Sequence, residues 1–147
     1  MERHGQELLE FDEVRTRLAG YCATSGGRLA AQTLEPSADR DVVGRRHTWT
    51  REAGDLRALG LAVAVGIGDI RDVVAGAARG ATLDIDMLGE VLATTRGMCD
   101  VAASLGAHAE QAPSLAAIAH EIDGVLLERL AAELERGLDG HGGVRDT

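Results

Sequence analysis

Apolar residues recur at spacings of three and four along most of this chain, and no sustained alternation of the kind a half-buried strand needs is present. Residues 66–92, GIGDIRDVVAGAARGATLDIDMLGEVL, organise the rest, because two helical patterns meet there across a short break. Asp69 is placed to cap the first, Val73, Val74 and Ala77 give it an apolar stripe, and Gly80 stops it. Asp84 caps the second and Asp86 sits in its first turn, where the helix dipole favours an anion. Leu88, Val91, Leu92, Thr95, Cys99, Ala102 and Leu105 then follow on one face of a long helix.

The same reading extends in both directions. Toward the N-terminus, Asp12 is the expected cap of a first helix carrying Val14, Leu18 and Tyr21. Ser25 is the expected cap of a second, with Leu29, Ala30, Thr33 and Leu34 on one side, ending before Pro36. Ser37 or Asp39 starts a third that runs to about Leu59, with Val42, Trp49, Ala53 and Leu56 in a narrow arc. Residues 60–68 read as an apolar loop or a short strand; the loop is favoured because no partner strand is evident. Beyond a break at 107–112, Pro113 suits the first turn of a sixth helix through about Ile122. Gly124 separates it from a seventh bearing Leu126, Leu127, Leu130, Ala131, Leu134 and Leu138. The pattern predicts an all-α fold, a compact bundle of about seven helices forming a single domain over 1–147. The Gly-rich stretch 139–147 reads as a tail leading toward something absent.

Composition sharpens this picture in one respect. Aromatic residues are 2% of the chain, so the core has to be assembled from Leu, Val, Ile and Ala, and small side chains let helices approach closely. Gly44, Gly54, Gly89 and Gly97 fall inside helical patterns at about 1 kcal/mol each relative to Ala. A domain of modest stability is expected.

Charge bears on partners. The formal net charge is −9, all 15 basic residues are Arg, and residues 61–147 carry 6 Arg against 14 acidic residues. An acidic surface repels a phosphate backbone, so the chain is a poor nucleic-acid binder by itself. Arg45, Arg46 and Arg51 are the candidates for a weak phosphate contact, although Arg45 and Arg46 flank the apolar stripe and the arginines form no single basic face. Cys22 and Cys99 are in no metal-like spacing and read as reduced, buried small hydrophobes of a cytoplasmic protein. No run approaches the ~18 apolar residues of a membrane span.

Catalytic chemistry is not legible. Gly66-Ile67-Gly68 lacks the third glycine, the preceding strand and the Gly-Lys-Ser/Thr ending of a nucleotide loop. The five His residues are scattered, and Asp84/Asp86 and Glu133/Glu135 are spaced by two, so on a helix they point apart. No catalytic residue, cofactor-binding residue or metal ligand is assigned.

Taken in order, several short landmarks resemble the N-terminal part of the second branch of the bacterial MutS family, the branch that carries a C-terminal Smr domain. They are Leu9-Glu10-Phe11-Asp12, Leu34-Glu35-Pro36, Thr50-Arg51-Glu52-Ala53 and Gly66-Ile67-Gly68-Asp69-Ile70-Arg71. Further along come Arg79-Gly80-Ala81-Thr82-Leu83, Met87-Leu88 and Gly143-Val144-Arg145-Asp146-Thr147. The resemblance covers nearly the whole chain. It implies the first half of an all-helical core domain, joined to a lever and clamp that grip nucleic acid and to an ATPase that uses ATP and Mg. The parent it implies is a homodimeric ATPase and endonuclease that suppresses recombination on branched DNA or acts on stalled ribosomes. The partners of this segment would be the remainder of its own chain and, through the parent, DNA or rRNA. On this reading the segment is a non-catalytic core module that couples ATPase state to the clamp. The alternatives are a free-standing helical protein–protein interaction module and, more remotely, a small helical enzyme.

Overall fold

A computed structural model describes residues 10–61 and 66–138, and the chain builds seven helices there with no sheet among the described residues. We number them α1 (Phe11–Gly20), α2 (Ser25–Gln32), α3 (Arg40–Ala58), α4 (Arg71–Ala78), α5 (Ile85–Ala107), α6 (Pro113–Ala119) and α7 (Gly124–Gly137). The all-α reading holds, and seven helices lie among the described residues.

Their ends follow local chemistry, with corrections of a residue or two. Asp84 Oδ1 accepts from the Met87 amide at 2.8 Å, and Asp39 Oδ1 from those of Asp41 and Val42 at 2.8 and 3.3 Å, as caps should. Gly80 takes φ +87 just past α4, a conformation open to glycine at no cost. Pro113 opens α6, where its missing N–H is no loss. By contrast, Asp12 does not cap α1. The helix begins one residue earlier, and Asp12 sits in its first turn, paired with Arg15 at 3.0 Å. Thr24, not Ser25, caps α2, its Oγ1 accepting from the Gly27 amide at 3.0 Å. Asp69 lies two residues before the start of α4, with Ile70 in the cap position, and accepts instead from the amide and guanidinium of Arg71. Helix α6 stops at Ala119 rather than Ile122, because the Glu121 and Ile122 amides turn back to the carbonyls of Ile118 and Ala119. That turn lets Asp123 cap α7 through the Leu126 amide at 3.0 Å.

Helix α5, 23 residues and about 34 Å long, is the spine. α7 packs along one flank and α6 closes over its C-terminal half; α3 lies on α6, and α1 and α2 form a separate hairpin. The predicted face of α5 is the one buried or half-buried, Leu88 through Leu105. Two threonines sit inside it without an unsatisfied hydroxyl. Thr95 Oγ1 donates to the Val91 carbonyl at 2.7 Å. Thr94 Oγ1 accepts from the Gly68 amide at 3.1 Å, which ties the segment before α4 to the spine.

The core is thin and alanine-rich, as the composition required. Among the described residues six of the nine buried hydrophobic ones are Ala, and a cluster of Leu56, Leu105, Ala112 and Ala119 forms its densest part. Leu61, Val101, Ala102 and Leu115 pack around that cluster. Periodicity erred on which half of a stripe would be covered. In α3, Ala53 is exposed, while Glu52, which no hydrophobic pattern includes, is buried. In α4, Val74 and Ala77 face solvent and Val73 is half-buried. In α7, Leu127, Ala131 and Leu134 are the covered positions and Leu138 lies just past its end, half-buried, leaving Leu126 60% exposed. Cys22 and Cys99 are half-buried rather than buried. Gly66 to Ile70 is irregular, matching the loop reading there; residues 62–65 and the tail 139–147 lie outside the described residues.

An ion cluster reinforces the α5–α7 flank. Arg96 reaches Glu135 with two nitrogens, at 2.9 and 2.8 Å, and Glu128 at 3.1 Å. Glu135 raises the Arg96 guanidinium above its ordinary value, and Arg96 holds the Glu135 carboxyl below its own. All three side chains are more than a third exposed, so solvent screens most of the attraction. Arg96→Leu is expected to shift the midpoint of a urea melt only slightly, with the difference shrinking further at 1 M salt.

Candidate interaction surface

The side chains that could do chemistry are spread apart. Among the described residues no group of three or more His, Cys, Asp or Glu is placed to hold a metal ion, and no helix is long and apolar enough to cross a membrane. Burial pushes the Cys99 thiol up, away from the thiolate a nucleophile needs. Asp69 is the most acid-shifted carboxylate, held down at about 2 by the guanidinium and amide of Arg71. That pairing leaves neither group free to act alone.

The three arginines singled out in the sequence do not converge. The Arg45 guanidinium stacks over the Trp49 ring, 5.9 Å from its centroid. Arg46 Nη1 donates to the Glu35 carbonyl at 2.9 Å, which ties the start of α3 back to the segment leaving α2. Arg51 projects into solvent beside Glu52 and favours that carboxylate's charge. A fourth arginine, Arg15, does a tethering job that the sequence did not reveal. It lies over Phe11 at 5.0 Å and its Nε donates to the Leu34 carbonyl at 2.6 Å, closing the α1–α2 hairpin.

Glu52 is the functional-looking residue that sequence reasoning missed. It is 3% exposed, and its two carboxylate oxygens accept from the Ser114 amide at 3.3 Å and the Leu115 amide at 2.9 Å. Those amides belong to the first turn of α6, which has no acceptor of its own. Burial works against the charged form. The Leu115 amide, the hydroxyl and amide of Ser114 and the nearby Arg51 outweigh it, so the carboxyl sits below the ordinary value. The geometry is that of a helix cap supplied from 62 residues away, not of a proton donor facing a substrate.

The recesses are shallow. One cleft of about 290 Å³ runs between the start of α2 (Thr24, Ser25, Gly26) and the Ile67–Arg71 segment, with Thr94 and Met98 at its floor. Ser25 Oγ beside it is buried with no hydrogen-bond partner. What the surface offers instead is apolar area. Tyr21 is 89% and Val125 82% exposed, and Leu59, Val74, Val14, Leu18, Leu29, Ile118 and Leu130 are exposed too. Along α1 and its C-cap, Val14, Leu18 and Tyr21 follow one another at i, i+4 and i+7 and leave a run of exposed apolar side chains. A thin core beneath so many bare side chains fits a body that is covered by something else.

Comparison with known proteins agrees with the landmarks. A protein called endonuclease MutS2 from Symbiobacterium thermophilum is 33% identical over 147 residues, covering 99% of this chain and 18% of the relative. The endonuclease MutS2 of Thermomicrobium roseum is 35% identical over 144 residues, and that of Geobacillus thermodenitrificans 30% over 152, again at 18% and 19% of their lengths. The chain thus spans under a fifth of the curated relatives it matches, and the likeness to the second MutS branch holds from end to end. No family model matches the chain, and no solved structure matches it.

Proposed function

We propose that this chain is a non-catalytic helical core module from the amino-terminal side of a MutS2-type protein, coupling the state of an ATPase elsewhere in that parent to its nucleic-acid clamp. The observation that carries the reading is the match: nearly all of this chain against less than a fifth of proteins called endonucleases. The fold supports it. Rigid rods with a thin core, bare apolar stripes and a carboxylate spent on capping a distant helix suit a body that transmits position rather than breaks bonds. ATP and Mg, DNA or a ribosome, and a homodimeric partner belong on this reading to the parent, which works in the cytoplasm.

Two measurements test it. The 147-residue chain is expected to bind duplex or branched DNA more weakly than micromolar at ~0.1 M salt, because its acidic surface opposes counterion release. Submicromolar binding in a fluorescence anisotropy titration overturns the module reading. The second reading, a free-standing interaction module, draws on the exposed stripes. The coding sequence past Thr147 separates the two: a frame running on into a long lever helix supports the first, and a stop codon supports the second.

A further inference from the structure

We propose that the contact between α3 and α6 is a joint: α3 parts from α6 in a single step, with Glu52 as its pin, while the α5–α7 pair stays folded. From Thr50 to Gly60, only Glu52 and Leu56 are buried. They stand one helical turn apart on the same side of α3, so neither can leave its place without the other. Leu56 enters the cluster of Leu105, Ala112 and Ala119, and Glu52 takes the Ser114 and Leu115 amides. The contact is therefore narrow and all-or-none.

The two sides of this joint are unequally held. α7 meets α5 through Leu127, Ala131 and Leu134, and Arg96 adds two carboxylates across the same seam. On α3 one leucine and one carboxylate are fully buried, with Val42, Val43, Thr48 and Trp49 half-buried nearer its start. Toward the other end of the molecule, between Thr24 and Ser25 on one side and Ile67 and Met98 on the other, there is the 290 Å³ cleft rather than close packing. The hydrogen bonds of Glu52 suit a reversible latch as well, since water can satisfy a carboxylate and two amides once they separate. This inference concerns the chain itself and stands apart from the module reading above; a failed DNA or reading-frame test leaves it untouched.

Native-state hydrogen exchange on the 147-residue chain, read by NMR as a function of sub-denaturing urea, tests it. The Ser114 and Leu115 amides have no acceptor within α6 and report the joint directly. Their opening free energy is expected to be smaller than that of the α5 amides around Val91 to Leu105, with a urea slope above zero but below the global one. A slope of zero is fraying of the first turn alone, and a slope equal to the global one is unfolding of the whole body; either overturns the joint. Glu52→Gln, which keeps the shape and removes the charge, is expected to speed exchange at Ser114 and Leu115 on the order of ten- to a hundred-fold. Leu56→Val, which touches neither amide, is expected to speed both several-fold. If it leaves them unchanged, α3 does not move as a unit and the proposal fails. Should a variant not fold, the urea slope of the unmodified chain decides.

Discussion

Truncating Leu56 to alanine is expected to lower the unfolding free energy by about 3 kcal/mol, enough to bring the melting temperature down by roughly 10 °C. Leu56 is 2% exposed and is the largest hydrophobic side chain fully enclosed among the described residues. Its neighbours in the cluster include Ala112 and Ala119, whose methyl groups have no rotamer that could swing into a vacated space. The cavity left behind would persist rather than collapse, which places the cost well inside the range for buried leucines and not at its lower edge. Leu59, three positions on and 60% exposed, provides the control: Leu59→Ala is expected to change stability by less than about 0.5 kcal/mol. Urea melts of the two variants, fitted with a common slope, check both. Equal effects would mean that the core is not centred where the structure puts it.

What could be read from the sequence was what is decided within a few residues. Asp39, Asp84 and Pro113 begin helices because the side chain or missing amide acts on its own turn. Gly80 ends one because of its own backbone freedom. The apolar face of α5 was legible because a spine packed along much of its length must keep a consistent side. Where two adjacent residues could each serve as a cap, as with Thr24 and Ser25, the choice turned on a degree of winding that no pattern encodes. The stripe on α7 was wide enough to present either edge to α5. Which edge won is settled by packing against α5, along a seam that Arg96 crosses to partners 32 and 39 residues away, and no local pattern encodes such distances. Arg46 illustrates the same limit at the candidate site. Its partner is a backbone carbonyl, at Glu35, and every residue has one of those, so no side-chain pattern could mark it. The exposed apolar residues were equally hidden, since a hydrophobic residue reads the same whether it is covered by its own fold or left for another surface.

Glu52→Ala is the second large effect, and it differs from the first in kind. The substitution removes a buried charged acceptor and strands the half-buried amides of Ser114 and Leu115, at a cost of about 3 kcal/mol. Its signature is in the pH dependence. The Glu52 carboxyl titrates below its ordinary value of 4.5 in the folded chain, so the unfolded chain binds a proton at this site at higher pH than the folded one. The stabilisation is therefore fully present above about pH 4.5 and is lost as pH falls through the lower folded value. Between pH 7 and pH 5 the cost of Glu52→Ala is expected to stay constant, and below pH 4 it is expected to shrink, because protonation has already weakened the cap in the unmodified chain. Asp69, held down at about 2, has the same sign but lies on the surface, where solvent screens its pairing with Arg71. Glu52→Ala should thus flatten the acid limb of the stability curve, and screening should leave Asp69→Ala with the smaller effect. Melts of the three proteins from pH 7 to pH 3 decide it: if Asp69→Ala flattens the limb and Glu52→Ala does not, the buried carboxylate is not what fastens α3 to α6.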